Sequence, residues 1–509
     1  MKKTIFVNGN DLTIENVVSF SHGAVEVVCP EETRKRISSC RDYVESILNR
    51  EDAVYGINTG FGILSDVRVG KKNLGELQQN LIRSHAIAVG EPFDRETVRI
   101  IMLLRANVLA RGFSGISIET FDKLIEIINK DVCPHIPCQG SVGASGDLAP
   151  LAHLALVLTG EGYVCDNSGN IVKTEDYFKE HNITPVKLKA KEGLALINGT
   201  QVMTAVGVKA LHRVENLLKL SDIALATTVD AVMGTDAPFD QLVNDVRKHY
   251  GHGDVSYNVR KLIQESEIRE SHKHCAKVQD SYSLRCAPQV HGAARTACAH
   301  ARDVLTIELN SSTDNPLIFP DEEKTISAGN FHGEPIGIVM DYLSMAVSEL
   351  SSISERRIEQ LVNPEFSSAP AFLVKNKGLN SGYMIAHVAA ASLVSENKKN
   401  CFPATVDSIP TSAGKEDHVS MGTIAARSCS NIVQNSVKVI LLELLTGMQA
   451  VDFRTPHKPG KGIKPVYELI RKDIEFMEND RFLYDDFIKI EKLEYNIVKT
   501  AEKAVGELR

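Results

Sequence analysis

The sequence contains no apolar run of about 20 residues, the length that an α-helix needs to cross a bilayer. Its two most apolar stretches, residues 148–158 and 437–451, are interrupted by polar or charged side chains. At the N-terminus only residues 4–7 precede the first polar interruption, which is too short for the apolar region of a secretory signal peptide. We therefore expect no membrane-spanning segment and no leader.

Basic residues are not in excess, and no CxxC pair is present. The chain has 57 Lys and Arg against 65 Asp and Glu, a formal net charge of -8, so no basic field favours nucleic acid as a partner. Its 10 cysteines are scattered, as expected of reduced thiols in the cytoplasm. His272, His274 and Cys275 lie close together but lack a second ligand pair at a matching interval, so we predict no metal site.

No repeat, low-complexity run or linker rich in Pro, Gly or Ser divides the 509 residues, so we expect two or three closely packed regions. Alternating apolar residues at 4–7 and 25–28, with turn residues at 8–10, predict a small sheet. Helical periodicity dominates afterwards, in residues 96–111, 121–128, 335–362 and 418–453. The pattern predicts a mainly α protein, with a β-containing N-terminal region at residues 1–205 and a long-helix bundle at residues 206–509.

The densest run of small side chains is GSVGASGD, residues 140–147, directly before an apolar helical stretch. Small residues allow tight backbone approach. In Ala144-Ser145-Gly146 the amide nitrogen of Gly146 can reach the carbonyl carbon of Ala144, because glycine has no Cβ to obstruct it. Ring closure followed by loss of water from the ring and from Ser145 would give a methylidene-imidazolone, a conjugated electrophile.

Residues 140–152, GSVGASGDLAPLA, resemble the signature of the aromatic amino acid ammonia-lyases and aminomutases, which carry this group. Similar matches cover residues 53–62, 196–200, 279–289, 314–316, 329–331 and 416–421. The resemblance thus extends over most of residues 50–425. It implies a long-helix bundle like that of aspartase and fumarase, and a prosthetic group made autocatalytically from Ala144, Ser145 and Gly146 without an external cofactor.

The resemblance also implies roles for individual side chains. Tyr55, in a mobile loop, would be the base that removes a proton from the substrate's β-carbon. Arg285 would hold the substrate carboxylate with a bidentate pair. The remaining polar groups that orient the amine, the carboxylate and the electrophile would be Tyr282, Asn198 and Gln279.

Three positions bear on which aromatic amino acid is deaminated. His85 and Glu416 resemble the histidine-specific members, since a polar pocket end can pair with imidazole, and Phe331 would line the ring. Lys415 departs from the amide that is common at its position, and it could pair with Glu416 and compete for it. The expected reaction is non-oxidative deamination of L-histidine to trans-urocanate and ammonia, the first step of histidine degradation.

Several alternatives stay open at this point. A phenylalanine or tyrosine ammonia-lyase, or an aminomutase that returns ammonia to the neighbouring carbon, would share the electrophile. A catalytically silent helical scaffold would be favoured by loss of Ser145, Tyr55 or Arg285, and all three are present. The resemblance further implies a homotetramer whose active sites are shared between subunits.

Overall fold

The computed structural model describes residues 3–23, 25–50, 53–60, 67–275 and 277–509. The protein is mainly α, which confirms the predicted fold class. Its residues form two compact units, unit 1 comprising 1–210, 302–341 and 403–427, and unit 2 comprising 211–301, 342–402 and 428–509. The first segment of unit 1 ends at Ala210; the division of the chain by role into residues 1–205 and 206–509 remains a prediction.

The longest described helices all lie after residue 200. The helices are α1 (Ile14–His22), α2 (Glu31–Ile47), α3 (Leu74–His85), α4 (Arg95–Ala110), α5 (Ile118–Asn129), α6 (Leu148–Leu158), α7 (Thr174–Glu180), α8 (Glu192–Ile197), α9 (Gln201–Ala231), α10 (Gln241–Asp245), α11 (Tyr250–Leu262), α12 (Glu267–Ser271), α13 (Tyr282–Arg285), α14 (Ala287–Leu309), α15 (Glu334–Val362), α16 (Pro364–Ser367), α17 (Met384–Asn400), α18 (Gly422–Asp452), α19 (Ile463–Arg471), α20 (Leu483–Glu491) and α21 (Glu494–Val505). The strands are β1 (Lys3–Phe6), β2 (Val25–Val28), β3 (Val89–Pro92), β4 (Cys133–Pro134), β5 (Pro137–Gln139), β6 (Tyr163–Cys165), β7 (Ile171–Lys173), β8 (Leu317–Phe319) and β9 (Lys324–Ile326).

The predicted N-terminal sheet is present, but its two strands run parallel. β1 pairs with β2 in the register Lys3 to Val25 through Phe6 to Val28. Parallel strands cannot be joined by a tight turn, and here helix α1 makes the crossover between them. The turn residues at 8–10 therefore lead into a helix that the alternating pattern did not predict.

Helices α4 and α5 lie where the apolar periodicity predicts them, and a side chain caps each one. Asp94 accepts a hydrogen bond from the backbone N–H of Thr97, and Ser117 accepts one from Thr120. These caps satisfy N–H groups that have no partner inside a helix. Capping thus moves the start of each helix slightly ahead of its first strongly periodic residue.

The last long helix begins later than predicted, at Gly422 rather than His418. The backbone N–H of Val419 donates to the hydroxyl of Ser408, and that of Met421 donates to the carbonyl of Val142. Met421 also has φ +52, in the left-handed region. Residues 418–421 are committed to contacts with other segments, so the helix starts only after them.

Unit 2 contains one buried polar network that joins four long helices. Glu443 of α18 is fully buried and accepts hydrogen bonds from Thr228 of α9 and from Ser354 and Arg357 of α15. Arg357 also lies 3.3 Å from Nε2 of His291 on α14. Buried charges are tolerated when every oxygen and N–H has a partner, and such networks fix the register of the helices that share them.

Helix α15 is long and apolar enough to cross a membrane by length and composition, with a mean hydropathy of 1.3 in its most apolar window. Of that window, 61% is buried inside the protein. Ile336, Met340 and Leu343 are among its fully buried side chains. The burial is that of a core helix.

Candidate active site

The segment predicted to form the electrophile, residues 140–147, connects β5 to α6 in unit 1. Strand β5 pairs antiparallel with β3, which brings Val89 opposite Gln139. Helix α3 ends at His85, shortly before β3 begins at Val89. His85 therefore directly precedes the strand that pairs with β5. Two further segments, residues 198–203 and 419–423, hold it in place.

Gly146 contacts Gly199 through backbone atoms alone. A Cβ on Gly146 would lie 2.1 Å from the carbonyl oxygen of Gly199, and Gly146 has φ +73. The N–H of Asp147 donates to that carbonyl at 2.7 Å, and the N–H of Gly199 donates to the carbonyl of Ser145 at 3.3 Å. Any side chain at position 146 would push the backbone of residues 145–147 away from Gly199.

On the other side, residues 419–423 hold the start of the segment. The hydroxyl of Ser420 donates to the carbonyl of Gly143 at 3.1 Å, and the N–H of Met421 donates to the carbonyl of Val142 at 2.8 Å. A Cβ on Gly143 would lie 2.2 Å from the hydroxyl oxygen of Ser420. Ala144 packs in an apolar cluster with Val419 and Met421.

Asp147 ties the segment to the start of α9. Its carboxylate is fully buried and accepts hydrogen bonds from the N–H groups of Val202 and Met203, both at 2.9 Å. Its other oxygen accepts from the hydroxyls of Thr423 and Ser141. Burial raises the pKa of Asp147 to about 6, while the hydrogen bonds from Thr423, Met203, Ser141 and Val202 oppose the rise. The first turn of α9 and the predicted electrophile are thus fixed by one side chain.

Glu416 reaches the middle of the segment. Its Oε1 accepts a hydrogen bond from the hydroxyl of Ser145 at 3.3 Å, while Oε2 accepts from Thr411 and Ser412, each at 2.7 Å. Lys415 is exposed, and within the described ranges it forms no ion pair with Glu416. Lys415 thus does not pair with Glu416 among the described residues. The hydroxyls of Ser145, Thr411 and Ser412 bind the Glu416 carboxylate instead.

His85 ends helix α3 with one ring nitrogen engaged. Nδ1 lies 2.8 Å from the carbonyl oxygen of Leu81 and 3.0 Å from the hydroxyl of Ser84. A carbonyl can only accept, so Nδ1 donates in this contact, and Nε2 is left for a ligand. His85 is half-buried, and so it can still be reached by a ligand.

Asn198 follows helix α8 and is nearly fully buried. Its amide nitrogen donates to the carbonyl of Asn315 at 3.1 Å, and its own backbone carbonyl accepts from Arg105 at 2.7 Å. The side-chain oxygen Oδ1 is buried and has no hydrogen-bond partner in the described part of the chain. Since an unpaired buried acceptor is costly, Oδ1 is available for a ligand that donates a hydrogen bond.

Arg105 itself is fully buried, and sequence reasoning missed it. Its Nη1 donates to Asn198 and, at 2.8 Å, to Oε1 of Gln201. Burial lowers the pKa of Arg105 to about 10, opposed by the charge of Asp314. Asp314 in turn forms a fully buried ion pair with Lys191 at 3.0 Å. The signal available in the sequence was an arginine inside an otherwise apolar helix, which helix periodicity alone does not distinguish from a surface residue.

Tyr55 is half-buried in a tight turn of unit 1. The adjacent Gly56 has φ +71, and a Cβ there would lie 2.7 Å from Leu194 of α8 and 3.0 Å from Pro316. The turn therefore packs beside the helix that presents Asn198. Phe61 and Gly62 of the predicted loop lie outside the described residues.

The remaining predicted residues divide between the two units. Phe331 is half-buried in a turn of unit 1, whereas Gln279, Tyr282 and Arg285 belong to unit 2. The guanidinium carbon of Arg285 lies 4.5 Å from the ring centre of Tyr282, and its Nε is buried without a hydrogen-bond partner among the described residues. In unit 1 the structure brings together Ala144, Ser145, Gly146, Asn198 and Glu416.

In residues 3–23, 25–50, 53–60, 67–275 and 277–509, no group of three or more His, Cys, Asp or Glu is arranged to hold a metal ion. The site instead combines a glycine-rich backbone in left-handed conformations with the Glu416 carboxylate and the unpaired amide oxygen of Asn198. Such a set can bind a polar ring and an amine.

The site residues that the sequence did not indicate are those that hold the segment rather than face a ligand. They are Arg105, Asp147, Thr411, Ser412, Ser420 and Thr423. Most of these residue types are common in loops, and their partners lie between 4 and 277 residues away in the chain, so no single one predicts its contact. Asp147 alone carried a usable signal, as an acidic residue directly before a helix.

The family model for aromatic amino acid lyases matches residues 12–472. The histidine ammonia-lyase of Caldanaerobacter subterraneus is 50% identical over 486 residues, covering 96% of this chain and 95% of that protein. The crystal structure of histidine ammonia-lyase from Trypanosoma cruzi is 42% identical, covers 99% of this chain and 96% of that one, and superimposes with a TM-score of 0.92. Tyrosine aminomutase from Streptomyces globisporus is 34% identical with a TM-score of 0.94 and covers all of both chains. The match extends over far more than half of the sequence, and the chain belongs to the aromatic amino acid lyase family.

Proposed function

We propose that this protein is a histidine ammonia-lyase, which converts L-histidine to trans-urocanate and ammonia. The relatives that carry this name share 45–50% identity over nearly the whole chain. The structural observation that carries the proposal is the contact between Glu416 and Ser145, 3.3 Å apart. It places a carboxylate able to accept from an imidazole N–H beside the residue from which the electrophile forms.

Residues 144–146 fit a methylidene-imidazolone. Gly146 has φ +73 and no room for a Cβ, and Gly199 and Ser420 hold the backbone on both sides. Ala144, Ser145 and Gly146 would form the group, which supplies an electrophile for the substrate's amino nitrogen. Cyclisation and dehydration remove two water molecules, so the mass of a peptide containing residues 140–147 tests this part of the proposal independently of activity.

In the proposed site, Glu416 and His85 bind the imidazole ring. Glu416 accepts a hydrogen bond from the ring N–H, and His85, whose Nδ1 is already bound to Leu81, presents Nε2 to the ligand. Asn198 offers Oδ1 to the amino group. Each interaction is worth ~1–3 kcal/mol when its partner would otherwise be buried unpaired.

Tyr55 is the proposed base. Its phenolic oxygen takes the proton from the β-carbon, the electrons of that C–H bond form the new double bond, and the bond between the α-carbon and nitrogen breaks so that ammonia leaves. Proton removal requires the base to lie within hydrogen-bond reach of the substrate. The turn at Tyr55 packs beside α8, which presents Asn198, and this neighbourhood supports the assignment.

Gln279, Tyr282 and Arg285 complete the proposed site, with Arg285 binding the substrate carboxylate. We propose that they do so in a homotetramer with shared active sites. Helix α17 supports association, because Ile385 and Val388 are 62% and 54% exposed on a helix that buries mainly small residues. Large apolar side chains exposed on one helix are typical of a surface that another chain covers. We further propose that the enzyme acts in the cytoplasm.

The test is incubation of the purified protein with L-histidine, L-phenylalanine or L-tyrosine, with ultraviolet detection of the conjugated acid and assay of ammonia. Urocanate and ammonia from histidine alone are the expected result. Cinnamate or coumarate would overturn the histidine assignment, and a β-amino acid would indicate an aminomutase.

Ser145→Ala is the matched control, because it removes the hydroxyl that must be eliminated. This variant is expected to fold and to lose nearly all turnover together with the mass change. Wild-type activity in Ser145→Ala would contradict the proposal that the electrophile forms from Ser145.

A further inference from the structure

Glu416 is carried by a tight turn whose ends are joined by backbone hydrogen bonding. The N–H of Thr411 donates to the carbonyl of Glu416 at 2.9 Å. Between them Ser412, Ala413 and Gly414 have φ +51, +54 and +82, in the left-handed region. Two of these three residues are not glycine, and such conformations persist only where surrounding contacts hold them.

The same turn supplies two hydroxyl groups to one oxygen of its own carboxylate. Thr411 Oγ1 and Ser412 Oγ both donate to Oε2 of Glu416 at 2.7 Å. The other oxygen, Oε1, accepts a hydrogen bond from the hydroxyl of Ser145. The two oxygens of Glu416 therefore have different environments, one bound within the turn and one facing the electrophile.

We infer that Thr411 and Ser412 are positioning residues that fix the Glu416 carboxylate so that Oε1 is presented to the substrate's imidazole. The inference rests on the proposed function and goes beyond it by assigning the device that sets ring specificity. A free glutamate side chain loses rotamer freedom when it is immobilised, which opposes binding. Paying this cost in the folded protein leaves more binding energy for the ring.

Bound hydroxyls also determine which oxygen is the better acceptor. Oε2 already accepts two hydrogen bonds, from the hydroxyls of Thr411 and Ser412. A ligand that approached Oε2 would have to displace them, whereas Oε1 exchanges only its contact with Ser145, whose hydroxyl is eliminated when the prosthetic group forms. The turn thus selects a single geometry for the carboxylate.

The experiment compares Thr411→Val, Ser412→Ala and the double variant with the conservative Thr411→Ser and Ser412→Thr. The readouts are kcat and KM for L-histidine and the equilibrium Kd of trans-urocanate measured by calorimetry. Thr97→Val is the control, because it also removes a threonine hydroxyl bound to a carboxylate, that of Asp94 at 3.0 Å, at a helix cap.

The double variant is expected to raise KM for L-histidine and the Kd of urocanate ~10-fold or more, with a smaller change in kcat. Thr411→Ser should restore both constants to within about twofold of the wild type, and Thr97→Val should leave them unchanged. Rescue by a hydroxyl on a different side chain is not expected of a role in packing alone.

The inference is overturned if the double variant binds urocanate as the wild type does, or if Thr411→Ser performs no better than Thr411→Val. Ser412 is exposed, so Ser412→Ala folds even if Thr411→Val does not, and an unchanged KM and Kd in Ser412→Ala would remove Ser412 from the assignment. A wild-type protein that makes no urocanate overturns the proposed function itself, which distinguishes the two failures.

Discussion

Gly146 and Gly199 approach so closely that a Cβ on Gly146 would lie 2.1 Å from the carbonyl oxygen of Gly199. Real Cβ atoms do not reach such distances, so position 146 must be glycine while the backbone keeps this geometry. The neighbouring hydrogen bond from Asp147 to Gly199, 2.7 Å long, holds the two segments together. The same contact thus restrains the backbone on both sides of the peptide that is proposed to cyclise.

Gly199→Ala is predicted to prevent this arrangement. Gly199 has φ +140, and its Cβ would lie 2.5 Å from the carbonyl oxygen of Thr313. Backbone strain and overpacking each cost ~1–3 kcal/mol, so the variant should lose stability in urea unfolding and fail to develop the near-ultraviolet absorption of the conjugated group.

Gly169→Ala is the control that separates the cost of backbone strain from the cost of a steric clash in Gly199→Ala. Gly169 has φ +84, but a Cβ there meets no atom within 4 Å. It should cost only the strain of the left-handed backbone, ~1 kcal/mol, and leave the absorption intact. A Gly199→Ala variant that formed the conjugated group as readily as the wild type would show that the close approach is not required.

Glu416→Gln is predicted to affect histidine more than phenylalanine. The amide keeps the size of the side chain but replaces one acceptor oxygen with a donor, so the hydrogen bond to the imidazole loses ~1.5–3 kcal/mol. That loss corresponds to a ~10–100-fold fall in kcat/KM for L-histidine. Steady-state kinetics with L-histidine, and the inhibition constant of L-phenylalanine as a competitive inhibitor, provide the measurement. An equal weakening of both would mean that Glu416 does not recognise the ring.

The sequence predicted the parts of this site that face a ligand better than those that support them. The GSVGASGD run predicted tight backbone approach because small residues have few other uses in such density, and resemblance pointed to Glu416 and Asn198. Of the supports of the same site, Arg105 depends on a contact with Asn198, 93 residues away, and Thr411 depends on a tight turn with left-handed residues. Their residue types occur in many other surroundings.

Two features of the fold that the sequence pattern did not give have the same physical origin. The alternating residues at 4–7 and 25–28 indicated strands but not their parallel pairing, which depends on helix α1 between them. Apolar periodicity across His418 indicated a helix, but the hydrogen bond of Met421 to Val142 keeps that stretch out of the helix. In each case a tertiary contact decided what local periodicity left open.

Asp230 is predicted to make the stability of the protein depend on pH. It is almost fully buried, and its oxygens accept from the hydroxyl of Ser266 at 2.9 Å and the N–H of Gly460 at 2.8 Å. Burial raises its pKa from 3.8 to about 7, with both hydrogen bonds opposing the rise. Between pH 3.8 and about 7, the Asp230 carboxyl is therefore protonated in the folded state and ionised in the unfolded state.

The contribution of Asp230 to stability is fully present below pH 3.8 and is lost as the pH rises through about 7. At ~1.4 kcal/mol per pKa unit, the change is at most ~4 kcal/mol. Asp230→Asn cannot titrate, so its free energy of unfolding relative to the wild type should rise between pH 4 and pH 8. Urea unfolding at several pH values measures the difference, and a constant difference across this range would refute the assignment.

Removing one partner of the buried pair Arg357 and Glu443 is predicted to lower the free energy of unfolding strongly. Replacing both partners with apolar side chains is predicted to lower it much less. Both side chains are fully buried, and two hydrogen bonds of 2.6 and 2.8 Å join them. Arg357→Met alone leaves the Glu443 carboxylate with only the hydroxyls of Thr228 and Ser354, and removing one partner of a buried pair costs ~3–5 kcal/mol.

Replacing both charges with apolar groups, in Arg357→Met with Glu443→Leu, removes the unpaired charge and should recover most of that loss, because desolvation offsets much of the attraction in a buried pair. The exposed pair of Lys375 and Glu478, 2.9 Å apart, is the matched control. Lys375→Ala should cost less than ~1 kcal/mol, since solvent screens an exposed ion pair. Urea unfolding of the single and double variants measures the coupling. If the double variant is less stable than Arg357→Met, the pair itself stabilises the four-helix network, and its main effect is not the penalty of leaving Glu443 unpaired.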